Sequence, residues 1–399
     1  MPRIVIMLCV LTWVAGPADA QPSPWQVETR TTAGWVFTPG LTAGLAWDSG
    51  LQAGSNPFVD SLIQKWAGRV NPRAELDFNG RRSHLNVGYS GAFEKYREST
   101  SAWEQYTRFG ASHTFTPRFS VSASGAYNSA PTTDRLLVTD GTVPLVDVNS
   151  TWVNATGVVQ WRTTEHTNVQ GGYQFSRVTL GHDHSIGTLE GLREGHSHAP
   201  FVTVHHTLTS RLTIGGSAEY RRELVEDGNT FDLKTATAVI VYRLGGATTL
   251  SGGGGISRLQ VLFLGGQTTS PTGHVSLDHQ VRRLRFGGTL EHAYLPVYGV
   301  GTVAMTDTFT GYVTTPLLDR LYYLSSNVTY SRGNPVEDIG IGLDFDTLYL
   351  NASVGRRLAP WLSAEGYITV SLQDSNSQGS TDRTRVGVQF VTSKPLRIQ

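Results

Sequence analysis

The chain has 399 residues, with 32 basic and 32 acidic side chains, and only 39% of it is hydrophobic, yet it carries 44 Gly, 9 Trp, 15 Tyr and 15 Phe. Balanced charge leaves no basic footprint for nucleic acid, and beyond the first turns of the chain no stretch approaches the roughly 18 apolar residues of a spanning helix. The 28 Arg against 4 Lys fit a GC-rich genome better than selection for phosphate.

The first elements read as an export address. Met1 to Arg3 is a short cationic start, Ile4 to Val14 is apolar, and Ala18-Asp19-Ala20 has the small-residue form of a signal-peptidase site. Cleavage is expected between Ala20 and Gln21, removing residues 1–20 and with them Cys9, the one cysteine. The apolar run is too short for a helix that needs about 20 residues to span a bilayer. Residues 21–36 are expected to be a periplasmic lead-in, residues 37–392 the folded body, and 393–399 a C-terminal tail.

From there the chain alternates. Leu85, Val87, Tyr89, Gly91 and Phe93 form one apolar parity, and Phe119, Val121, Ala123, Gly125 and Tyr127 oppose Ser120, Ser122, Ser124, Ala126 and Asn128. Leu212, Ile214, Gly216, Ala218 and Tyr220 oppose Thr213, Gly215, Ser217, Glu219 and Arg221. Leu284 to Glu291 and Arg385 to Phe390 split the same way. A two-residue period means strands with one apolar face. Phe37-Thr38-Pro39-Gly40-Leu41, Phe115-Thr116-Pro117-Arg118-Phe119, Leu208-Thr209-Ser210-Arg211-Leu212 and Leu358-Ala359-Pro360-Trp361-Leu362 read as four copies of one tight turn, with weaker ones near Arg81, Thr164, Gly246, Arg282 and Asp319. The intervals hold two strands and one polar connection each, the longest being Leu51 to Gly68, Ala130 to Asp147 and Gly181 to His196.

Short turns alternating with long loops are the asymmetry of a membrane barrel. The reading is all-β: a transmembrane antiparallel up-and-down barrel of about 18 strands, within 16 to 20. The repeat of roughly 40 residues also suits a soluble propeller, but each blade needs four short strands and here two long ones fill the interval. Tyr127, Trp161, Tyr173, Tyr220, Tyr242, Tyr294, Tyr330 and Phe390 lie near strand ends and suit interfacial girdles. With the apolar parity toward lipid, Glu219, Arg221, Arg285, Glu291, Glu365 and Arg385 are expected to line the lumen.

Two pairs, His182/His184 and His196/His198, sit in or beside one expected loop as H-x-H and are weak candidates for Zn or Cu, since a site needs more convergent ligands than these. His205 and His206 point to opposite faces. No hydrolase elbow, zincin helix, phosphate loop or redox pair occurs, so no enzyme and no cofactor are expected. Gly252 to Gly255 is read as relief where a strand bends or a lumen side chain lies across it.

Phe37 to Gly50 followed by Arg81 to Arg97, with Val87, Tyr89, Ser90, Gly91 and Tyr96 in a VxYSGxxxxY pattern, resembles the β-barrel porins encoded beside exopolysaccharide synthesis and export genes. Where that family has two acidic residues and an Asn, this chain has Asp48-Ser49-Gly50. The resemblance implies an outer-membrane porin-like role in a Gram-negative bacterium, in polysaccharide export, with no catalytic residues to carry over. A pore for small hydrophilic solutes or for export is therefore expected, with an outer-membrane enzyme or a closed structural or adhesive barrel as contrasting classes. The expected partners are outer-membrane lipids, the barrel-assembly machinery and periplasmic polysaccharide-export components.

Overall fold

A computed structural model describes residues 33–49, 52–53, 65–96, 101–131, 137–138, 141–142, 149–180, 194–225, 230–262, 265–297, 302–317, 321–334, 336, 344–375 and 379–398. The expected signal segment, with Ala20 and Gln21, lies outside them, as do His182 and His184.

Eighteen long strands run in chain order. They are β1 (Gly34–Asp48), β2 (Lys65–Asn79), β3 (Ser83–Tyr96), β4 (Ser101–Thr116), β5 (Phe119–Pro131) and β6 (Asn149–Arg162). Then come β7 (Thr167–Leu180), β8 (Gly195–Thr207), β9 (Leu212–Val225), β10 (Thr230–Leu244), β11 (Thr248–Val261) and β12 (Gly266–Val281). The last are β13 (Leu284–Val297), β14 (Thr302–Leu317), β15 (Tyr322–Asn334), β16 (Phe345–Ala359), β17 (Leu362–Ser375) and β18 (Gly379–Ser393). Every strand pairs antiparallel with its successor, and β1 pairs antiparallel with β18 from Gly40↔Ser393 to Asp48↔Arg385. The sheet is therefore a closed barrel in which each of these strands is paired on both sides along at least part of its length, which rules out the propeller. Among the described residues there is no helix.

Alternation decides which face meets lipid. Along β10, Lys234, Ala236, Ala238, Ile240, Tyr242 and Leu244 are exposed while the residues between them are partly covered. Leu45, Ile256, Leu290 and Val388 are 58–62% exposed, on the same parity of their strands. In water such a surface would drive association; in lipid it is the solvated one. The fold is a transmembrane β-barrel. Closure satisfies every ladder inside hydrocarbon, which an open sheet cannot do, and bacterial barrels of this build belong to the outer membrane. Strands of 13 to 16 residues exceed the roughly 9–11 that a tilted strand needs to cross the hydrocarbon core, so their ends rise beyond the apolar band.

One expected turn is absent. Phe37 to Leu41 lies within β1, where Pro39 stands opposite Ala74 of β2. Strand interiors reject proline because it lacks a donor, but here the carbonyl of Pro39 accepts the amide of Lys394 at 3.3 Å. The missing N–H falls in a gap between the pairing of Gly40 with Ser393 and that of Phe37 with Leu396, where Pro395 also lacks a donor. The strand thus starts at Gly34, three residues inside the expected lead-in, and Leu396–Ile398 of the expected tail pairs with Trp35–Phe37. The turns at 80–82, 117–118, 163–166, 208–211, 245–247, 282–283 and 360–361 stand where the sequence puts them.

The face assignment has a direct test. Val388 lies midway along β18, opposite Leu45 and Gly366, and faces lipid. Val388→Arg is expected to lower the unfolding free energy by about 2–4 kcal/mol, the cost of a cation at the bilayer midplane. Gln389→Arg, one position on, faces the lumen beside Glu365 and is expected to cost far less. Urea titration of both variants in lipid vesicles checks this; equal costs would refute the parity.

Candidate functional site

The candidate site is the barrel interior. On one side its wall is charged. Asp48 of β1 receives Arg383 Nη2 at 2.7 Å and Arg385 Nε at 2.8 Å, both from β18. Arg385 Nη2 reaches Glu94 of β3 at 3.0 Å, and Arg69 of β2 joins Glu94 at 3.3 Å to Glu104 of β4 at 3.1 Å. Three carboxylates and three guanidiniums neutralise one another across five neighbouring strands, at the loop end, bridging the seam where the chain's first and last strands meet. Their side chains are 13% exposed or less. Buried charges persist only when paired and hydrogen-bonded in this way. Further from the loops, Glu75 accepts Arg108 at 2.5 Å and Asn86 at 3.0 Å, and Asn86 also donates to Asp77 at 2.6 Å.

Around the rest of the circumference the inward face is chiefly hydroxyl and amide. Ser176 bonds Ser197 at 2.7 Å, Ser217 bonds Thr237 at 2.6 Å and Thr235 bonds Ser257 at 2.9 Å. Ser251 with Ser276, Thr308 with Ser331, and Asn351 with Thr369 extend the series. Each is a cross-strand pair, the contact by which neighbouring strands stabilise one another. Tyr323 lies across Gly355 and Tyr367 across Gly387, so close that a Cβ there would sit 2.1 and 2.6 Å from the rings. His274 lies over Gly253 in the same manner, which accounts for part of the glycine run.

The loop end is narrowed from within. β12 continues to Gly266 and β13 to Val297, but the ladder between them ends at Gly273↔His292, so the two strands part above that level. Tyr294 and Met305 face each other across the β13–β14 hairpin on the parity of lipid-facing Leu290 and Phe309. Yet Tyr294 and Val303 are buried in a cluster with Val225, Phe231, Leu259 and Val261, whose register faces them into the barrel, and Met305 packs against it. The tip of this hairpin therefore turns into the mouth. Ser270, facing inward from β12, meets the Tyr294 hydroxyl at 2.7 Å. Val336 joins the same cluster, and Gly141–Thr142, from the connection between β5 and β6, pairs in parallel with Val297. Tyr294 is consequently no girdle residue, whereas Tyr127, Trp161, Tyr173, Tyr242, Tyr330 and Phe390 are 37–57% exposed on the outward face.

Register carries each expected lumen residue on an inward parity. Glu219 and Arg221 of β9 pair with each other at 3.1 Å. Arg285 of β13 meets Asp278 at 3.0 Å, and the Tyr312 hydroxyl donates to the same carboxylate. Glu291 stands opposite His274 and Thr308, Glu365 accepts Gln389 at 2.8 Å, and Arg385 belongs to the seam network. The sequence reading overlooked Asp48, Arg69, Glu94, Glu104 and Arg383, although their alternation with apolar neighbours marks them as inward.

Of the four histidines of the H-x-H pairs, the described ones are His196 and His198. His196 and His198 face outward near the loop end, edge to face with ring centroids 5.3 Å apart, and the Tyr173 hydroxyl meets His198 Nδ1. Among the described residues no three groups gather as metal ligands. The H-x-H pair belongs to the aromatic girdle. At the opposite rim Ser83–His113, Thr167–His206 and Thr248–His279 form three outward hydroxyl–imidazole pairs at 2.6–2.9 Å.

No family profile and no curated protein sequence matches the chain. Among solved structures, it is similar to the FrpB iron transporter from Neisseria meningitidis (F3-3 variant), with 9% identity and a TM-score of 0.44 over 87% of this chain and 64% of that one. It is also similar to Pseudomonas aeruginosa OprD, with 11% identity and a TM-score of 0.42 over 91% and 96%, and to Acinetobacter baumannii OccAB4, with 7% and 0.46 over 94% and 100%. The chain spans just under two thirds of the length of the iron transporter. At such identities the functional reading rests on this chain's own geometry.

Proposed function

We propose that the barrel is an outer-membrane pore for hydrophilic solutes. The observation that supports this reading is the inward face. It is polar along most of the circumference, its seam charges are paired with one another, and an 18-stranded barrel is wide enough for water. A wall of hydroxyls and amides favours solutes that exchange hydrogen bonds without carrying charge. Polysaccharide export is the finer reading, supported by the same wall and by the resemblance to porins of exopolysaccharide loci; it would engage periplasmic export components at the rim of short turns.

The test is conductance of the purified barrel in planar bilayers, with liposome swelling in neutral sugars. Stable conductance steps and faster swelling in sugars than in organic anions are expected. A refolded barrel that neither conducts nor swells would overturn the pore and favour an anchor or an enzyme. Loss of surface polysaccharide on deletion would be needed for the export reading.

The paired charges predict weak ion preference. In a KCl gradient the reversal potential is expected close to zero. Glu104→Gln removes one of three seam carboxylates and leaves Arg69 with Glu94, so the reversal potential is expected to move toward anion preference. No movement would mean that ions do not pass the seam.

A further inference from the structure

We propose that the outward face of β8 to β11 holds one phosphorylated lipid of the outer leaflet, its phosphate on Lys234 and Arg258 and an acyl chain in the groove beneath them. The first observation is the groove. On β9 and β10 the lipid-facing residues Gly216, Ala218, Ala236 and Ala238 are all small, and between Val204 on one side and Ile256 on the other they leave a hollow of about 580 Å³. Ile214 and Ile240, paired across β9 and β10, are the next lipid-facing residues toward the short-turn end. It is a shallow, open depression, and its walls are apolar enough for a hydrocarbon chain lying along the barrel surface.

The second observation is charge. Lys234 and Arg258 are directly opposite one another across β10 and β11, one strand step, about 7 Å, above Ala236 and Ile256 toward the loop end. Like charges in that position repel. Lys234 lies 6.0 Å from the centre of the Tyr220 ring, and Arg258 donates to Gln267, so neither contact supplies a negative charge. The one neighbouring carboxylate, Asp232, is held by Arg222 at 3.2 Å and by the Tyr220 hydroxyl at 2.9 Å. Among the described outward residues of β8 to β12, three cations thus face one carboxylate. The surplus stands at headgroup height, directly over an apolar hollow.

A phosphate between Lys234 and Arg258 relieves the repulsion, and the chain attached to it fills the hollow. A basic cluster at a membrane surface recruits anionic lipid by this attraction. The inference needs a barrel embedded in lipid and does not depend on whether the lumen conducts.

The experiment is native mass spectrometry of the whole barrel, delipidated in detergent, titrated with diphosphoryl lipid A and, separately, with lipid A stripped of both phosphates. Heat-modifiable migration first establishes that each variant is folded. One tightly retained diphosphoryl lipid is expected on the unaltered chain, with much weaker retention of the stripped form. The double charge reversal Lys234→Glu with Arg258→Glu is expected to weaken diphosphoryl binding by about tenfold or more. Ala236→Phe, or Ala238→Leu should the first fail to fold, fills the groove and is expected to displace both forms. Arg332→Glu, on the outward face of β15, is expected to change nothing. Retention of both lipids alike, or binding indifferent to the charge and groove variants, would overturn the proposal. So would a dimer in detergent that Ala236→Phe converts to a monomer, since the groove would then seat a second copy of the chain.

Discussion

Asp48→Ala is expected to destabilise the barrel by about 3–5 kcal/mol, the cost of removing one partner from a buried ion pair. Asp48 is 2% exposed, and it is the carboxylate on which both Arg383 and Arg385 converge. Its removal leaves two guanidiniums in a covered wall with Glu94 as the acceptor for Arg385. The position also matters topologically. Asp48 ends the β1 ladder to β18, the pairing that closes the barrel, and Arg385 is its cross-strand partner there. The loss should therefore show as opening of the seam before other ladders yield. Asp48→Asn keeps the shape and tests the charge alone. The measurement is the urea midpoint in lipid vesicles, read by heat-modifiable migration. A double cycle with Arg383→Ala should recover part of the loss, because the second change removes a stranded cation. If Asp48→Ala leaves the midpoint unchanged, backbone pairing alone holds the seam and the network serves permeation only.

Much of this architecture is legible in the chain because a barrel writes its rule locally. Phe119 to Asn128 and Leu212 to Arg221 show the two-residue period outright, since each strand must present apolar atoms to lipid and polar atoms inward. Tight turns such as Pro117-Arg118 and Pro360-Trp361 leave short signatures. What the chain conceals is whatever depends on distant partners. Pro39 carries a turn signature, yet it lies in a strand because Lys394 and Pro395, at the far end of the sequence, stand where its missing donor would have pointed. Asp48 reads as the end of a strand and gives no sign that two arginines more than 300 residues later will meet it. Tyr294 carries the parity and location of a girdle aromatic. It is buried because β13 leaves β12 above His292, a departure written in no local period. The lipid-facing Gly254 and the inward Gly253 sit side by side in one glycine run but have different reasons, a groove on one face and an imidazole on the other.

The inward turn of the β13–β14 tip carries the second large expectation. Phe231→Ala with Leu259→Ala is expected to raise single-channel conductance, because these two side chains, 2% and 1% exposed, form the seat on which Tyr294 and Val303 rest. Truncating a buried Phe or Leu removes about 2–5 kcal/mol of packing, more than enough to unseat a hairpin tip that β12 no longer holds through its ladder. What remains is Val225 and Val261 of the same cluster, the packing of Val297 and Ala304 with Phe345, the Ser270–Tyr294 hydroxyl contact and the parallel bridge from Thr142 to Val297. The two polar contacts do not replace the lost packing, since a hydrogen bond contributes about 1 kcal/mol net, and the smaller apolar contacts hold the tip only in part. With the seat gone the tip should spend part of its time away from the mouth, seen as larger and noisier conductance steps, while the urea midpoint of the barrel wall below shifts little. Smaller conductance, or none, would mean that the tip braces the mouth open. An unchanged step would mean that solutes pass elsewhere, between the tip and the charged wall around Asp48, and the seam network would then be the narrowest polar passage.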